Sequence, residues 1–122
     1  MRTTKLMITY ILITVVFACK KKDDTNFADE ATCTSTPNYT VDIAPILNAS
    51  CAIGGCHDAS SKRAGIDLSN YNVAKNEFTK SNTALASVHH ADGVDAMPDG
   101  QAKLSDATIN KLDCWVKNGC PE

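Results

Sequence analysis

The chain has 122 residues, with 12 Lys and Arg against 14 Asp and Glu, for a formal net charge of −2. That length leaves room for one small folded domain once a targeting segment is set aside, and no basic patch with interleaved aromatics is present, so nucleic acid is not an expected partner. No apolar–polar alternation is long enough to argue for a sheet, so the expected fold class is all-α, short helices joined by long loops.

Arg2 and Lys5 form a positive n-region, Leu6 to Phe17 is an apolar run, and Ala18 precedes Cys19, the pattern of a signal peptide over residues 1–18. A membrane-spanning helix needs about 20 apolar residues, and Lys20, Lys21 and Lys22 end this run well short of that. Val16, Phe17, Ala18 and Cys19 resemble the lipobox, in which cleavage precedes a cysteine that receives a diacylglyceryl group. Cys19 is therefore the expected lipidation site, and the protein is expected to be exported and held on the cell envelope by its lipid, in the periplasm or at the outer-membrane surface. An ordinary signal peptide with an incidental cysteine is the alternative. Loss of residues 1–18 removes two positive charges and no negative one, so the remainder is more acidic than the whole chain. Residues 19–38 are polar and read as a flexible tether. Within them Lys22-Asp23-Asp24 resembles a surface-export signal of bacterial lipoproteins, beside the plainer reading of a solvated spacer.

The folded domain is expected over residues 39–122. A domain of about 85 residues is marginal without staples or a cofactor, and its apolar residues are sparse, with Trp115 the only tryptophan. Thr40 or Asp42 can cap a helix running to about Ala49, with Ile43, Ile46 and Leu47 on one face and Pro45 in the first turn. Ala59 to Asn70 is a Ser-, Gly- and Asp-rich loop with Ile66 and Leu68 as apolar plugs. Val73 to Thr79 and Asn82 to His89 read as two short helices, and Gly93, Pro98 and Gly100 break the next stretch into a loop around Met97. The last helix, Asp106 to Asn118, has Ser105 as its N-cap, Leu104 and Ile109 as its staple, and Gly119 and Pro121 as its stop.

Cys51 to His57 is a C-x4-C-H motif, a lengthened form of the sequence that attaches c-type haem. Two thiols form thioethers to the vinyl groups on one porphyrin edge, and a histidine directly after the second cysteine lies beneath the iron, so Cys56 and His57 must be adjacent. Gly54-Gly55 gives the backbone freedom to loop out the extra residues. A Cys51–Cys56 disulfide and a zinc site made of both cysteines, His57 and another histidine are the competing readings. Met97 lies in a loop flanked by Asp95 and Asp99, poor surroundings for a packed methionine, and a haem held by histidine commonly takes a methionine sulfur on its other side. His89 and His90 are the rival ligands. Of the remaining cysteines, Cys33 and Cys120 are the expected disulfide, Cys33 with Cys114 is the competing pair, and one thiol is left over.

The order Asp-Ile-x-Pro-Ile, C-x4-C-H, Ile66 to Tyr71, Met97-Pro98, Lys103-Leu104-Ser105 and a terminal Trp-containing helix resembles small monohaem c-type cytochrome domains of bacterial lipoproteins, from about Tyr39 to Pro121. The resemblance implies one haem c, attached through Cys51 and Cys56, with His57 and Met97 as axial ligands of the iron. It also matches His90 to a recurring histidine of no assigned role. With both axial positions filled, the expected function is electron transfer rather than catalysis. The implied partners are other cytochromes, copper proteins or membrane oxidoreductases. A haem-free lipoprotein, stapled by disulfides or binding a metal and acting as an interaction module, is the alternative.

Overall fold

The computed structural model describes residues 25–122. The leader expected over residues 1–18 and the lipidation expected at Cys19 lie outside the described residues. The described chain is helical, as expected: α1 (Phe27–Glu30), a π-turn (Tyr39–Ile43) leading into α2 (Ala44–Ser50), a 3-10 turn (Arg63–Gly65), α3 (Tyr71–Thr79), α4 (Thr83–His89) and α5 (Asp106–Lys117). Among the described residues none of these helices is long and apolar enough to cross a membrane.

α5 is the organising element. Ser105 Oγ accepts the Thr108 N–H at 3.2 Å and so caps the helix, as its sequence predicts. Ile109, Leu112 and Trp115 are buried along its length. Against them pack Ile43 and Leu47 from the α2 region, Phe78 from α3 and Leu85 from α4, in one continuous core. Trp115 is fully buried, and its indole N–H donates to the Pro121 carbonyl at 2.9 Å. The same carbonyl accepts the Tyr39 N–H at 2.9 Å, and the neighbouring Cys120 carbonyl accepts the Tyr71 hydroxyl at 2.9 Å.

Three expectations need correction. The cap of the first core helix is Asn38, not Thr40 or Asp42: the Asn38 side chain accepts the Val41 N–H at 2.8 Å while the Asp42 carboxylate accepts the Asn38 N–H at 3.0 Å. Ile43 N–H then donates five residues back, to the Asn38 carbonyl at 3.2 Å. Such widening suits Pro45, which has no N–H and whose ring crowds the carbonyl four residues before it.

The stretch before Tyr39 is packed rather than a free tether from about Phe27 onward. Ala28 is buried, the Phe27 ring stacks on His89 with centroids 4.0 Å apart, and Lys117 donates to the carbonyls of Asp29 and Ala31. The disulfide joins Cys33 to Cys114, with Cα atoms 5.6 Å apart, in place of the expected Cys33–Cys120 pair. Cys114 lies on α5, the helix against which α1 packs. Cys120 is instead a fully buried free thiol beyond the helix end.

Candidate functional site

α2 ends at Cys51, whose N–H donates to the Leu47 carbonyl at 2.8 Å. From there the C-x4-C-H segment forms a tight loop. Gly55 takes φ +84°, a conformation that glycine adopts without steric cost, and its N–H donates to Ser61 Oγ at 2.8 Å. The loop closes where the His57 N–H donates to the Cys51 carbonyl at 3.1 Å. The His57 carbonyl in turn accepts the Leu68 N–H at 2.8 Å, so both backbone groups of His57 are fixed. The Cys56 carbonyl accepts the Arg63 N–H at 2.8 Å, which draws the following loop back over the motif.

The Met97 loop is held to the end of α4. Met97 N–H donates to the Ser87 carbonyl at 3.0 Å, and His90 Nε2 donates to the Met97 carbonyl at 3.0 Å. The Met97–Pro98 peptide is cis. An ion pair at 2.9 Å between Arg63 and Asp99, both about half exposed, joins this loop to the segment after the motif.

These two segments meet at a cavity of about 370 Å³, within the size range of small-molecule and cofactor pockets. Cys51, Cys56, His57 and Met97 all line it. Much of the remaining wall is apolar, with Ile66, Leu68, Phe78, Ala84 and Val88. The two loop residues expected to plug the core, Ile66 and Leu68, thus form part of the cavity wall as well. Cys51 and Cys56 are free thiols, so the disulfide reading of the motif is not what the structure contains. Burial pushes the Cys51 thiol up to about 11, with the neighbouring Cys56 adding to the effect, so it is protonated at neutral pH.

His57 carries the one buried side-chain polar atom without a hydrogen-bond partner among the described residues, its Nδ1. Buried polar groups are normally satisfied, and an orphan costs on the order of 1–3 kcal/mol. The Cys51 and Cys56 thiols, the His57 imidazole and the Met97 thioether on one largely apolar wall are a donor set of the kind a haem takes.

The rival ligands are engaged elsewhere and do not line the cavity. His89 Nε2 lies 2.9 and 3.1 Å from the two Asp113 carboxylate oxygens, and His90 holds the Met97 carbonyl. The zinc reading needs a fourth ligand from one of these histidines. Among the described residues no group of three or more His, Cys, Asp or Glu side chains is placed to hold a metal ion. Asp113, not among the residues expected at a site, is 4% exposed on the inner side of α5. Its position inside the Ile109–Leu112–Val116 stripe was the available signal, because an unpaired carboxylate is rarely buried.

No family model matches the chain, and no curated protein or solved structure matches it.

Proposed function

We propose that this chain is a monohaem c-type cytochrome that carries electrons at the cell envelope. The observation that carries the reading is the convergence of Cys51, Cys56, His57 and Met97, from two segments far apart in sequence, on one largely apolar cavity. Cys51 and Cys56 would hold the haem through thioethers, each thiol adding its S–H across a vinyl double bond. His57 and Met97 would be the side chains that hold the iron. When bound, the haem would supply a one-electron ferric–ferrous couple.

The chain's own contribution is binding and exclusion. The backbone bonds to Cys51 and Leu68 hold His57 in place, those to Ser87 and His90 hold Met97, and the apolar wall would keep water from a group bound there. Were His57 and Met97 both to ligate the iron, the protein itself would saturate it, which favours electron transfer over catalysis. The acidic balance suits docking to basic faces of redox proteins such as other cytochromes, copper proteins or membrane oxidoreductases. Lipidation at Cys19 belongs to the same reading and would keep the carrier on a membrane.

Co-expression with haem-maturation machinery, followed by denaturing extraction and visible spectra, tests the proposal. The expected result is a sharp reduced α-band that stays with the polypeptide, and in the oxidised protein the weak long-wavelength band of methionine-ligated ferric haem. A folded chain that takes up no haem would overturn the reading and leave a disulfide-stapled module with an apolar cavity.

A further inference from the structure

α4 ends on a residue that is unusual for its place. His90 has φ 56° and ψ 40°, in the left-handed region. Its N–H donates to Ser87 at 3.1 Å, and the Ala91 N–H reaches back to Ala86 at 2.9 Å, the double closure that commonly carries glycine at the turning residue. A side chain at this position costs conformational energy that glycine avoids. The turn itself therefore gives no reason for a histidine.

The imidazole supplies the reason. The left-handed turn directs the His90 ring to the Met97 carbonyl, to which Nε2 donates at 3.0 Å. The N–H of the same methionine is held by Ser87, one turn earlier on α4, at 3.0 Å. One helix end thus fixes both backbone groups of Met97. That helix end is itself fixed, because His89 is paired with the buried Asp113 of α5 and stacked on Phe27. The two adjacent histidines divide the work: His89 joins α4 to α5, and His90 joins the Met97 loop to α4.

We propose that His90 is a positioning residue that presents the Met97 sulfur to the cavity by anchoring the Met97 carbonyl. What the sulfur does there rests on the haem reading; the anchor itself does not. Replacing His90 removes a hydrogen bond from a loop that has no regular secondary structure of its own. Met97 should then be displaced more readily by a competing ligand, while the covalent link through the cysteines is untouched.

The test uses His90→Gly, which suits the observed backbone and removes only the imidazole, with His90→Asn as a second variant that tolerates the same conformation. In the haem-free full chain, amide hydrogen exchange should show roughly tenfold less protection at the Met97 N–H, the scale of one lost neutral hydrogen bond, with the amides of α5 unchanged. Unchanged protection at Met97 would overturn the proposal whether or not haem binds. In the haem-loaded chain, both variants should keep full covalent haem yet show a weakened long-wavelength methionine band and bind cyanide roughly tenfold more tightly. Variants that keep the full band and wild-type cyanide affinity would likewise overturn it. A wild-type chain that takes up no haem would remove the cytochrome reading, and the exchange result would still decide whether His90 positions Met97.

Discussion

Asp113 is the one buried charged side chain among the described residues. Burial raises its carboxyl above the usual value of 3.8, and the hydrogen bond and charge of His89 only partly offset this. A carboxyl whose folded value lies above its unfolded value binds its proton more tightly when folded. Its contribution to stability is therefore complete below about pH 3.8 and is lost as the pH rises through the raised value. Asp42 and Asp58 have the opposite sign, since hydrogen bonds hold both carboxyls low. Asp113→Asn keeps an acceptor for His89 and removes the titration. Denaturant midpoints measured from pH 3 to 7 should rise more steeply with pH in the variant than in the wild type; parallel profiles would contradict the assignment. Cys51 offers a second check, because alkylation of the haem-free chain there should keep accelerating up to about pH 11, as mass mapping can follow. The grouping of Cys51, Cys56, His57 and Met97 was legible in the sequence because it rests on residue type and adjacency. The role of His90 was not, since neither a left-handed backbone nor the direction of a ring can be read from spacing.

Among the elements, α3, α4 and α5 were legible to within about two residues, because Ser105 is a cap and the apolar residues recur at helical period, while Asn70, read as loop, proves to cap α3, which begins two residues before its expected start. The expectation failed where distant chain decides the outcome. The polar composition of residues 27–38 suggests a tether, yet Phe27, Ala28 and Cys33 are enough to bind that segment to α4 and α5. The Cys33–Cys114 bond spans 81 positions, and a cross-link over so long a loop restricts the unfolded chain strongly. Replacing both cysteines by alanine should lower stability by about 2–4 kcal/mol, read as a lower denaturant midpoint. Ser105→Ala should cost about 1 kcal/mol through the lost cap of α5, also measurable by denaturant unfolding. If the double cysteine variant lost no more than the cap variant, the disulfide would be a minor support.

For the whole molecule, the notable arrangement is the sequence of layers from α5 to the cavity. Trp115 is fully buried, and the Phe78 ring meets it edge-on with centroids 5.9 Å apart. Phe78 is at the same time part of the cavity wall. The single tryptophan of the chain thus stands one aromatic ring behind the proposed haem site. Energy transfer to a bound haem should quench its emission strongly, and unfolding should restore it even though the haem remains attached. Bright tryptophan emission from a folded, haem-loaded chain would contradict that placement. The thickness of wall between Trp115 and the cavity depends on how α3 and α5 cross, which no local pattern in the chain encodes.

The carbonyls of Cys120 and Pro121 gather donors from Tyr39, Tyr71 and Trp115, residues spread over most of the described chain. During vectorial synthesis those donors emerge first and have no acceptors until residue 121 has followed. The C-x4-C-H loop, by contrast, is complete once residue 68 is out, since its backbone contacts reach no further than Leu68. On the proposed haem reading, the attachment loop would have all its backbone partners before the C-terminal acceptors emerge, so the cavity could be loaded on a chain not yet sealed.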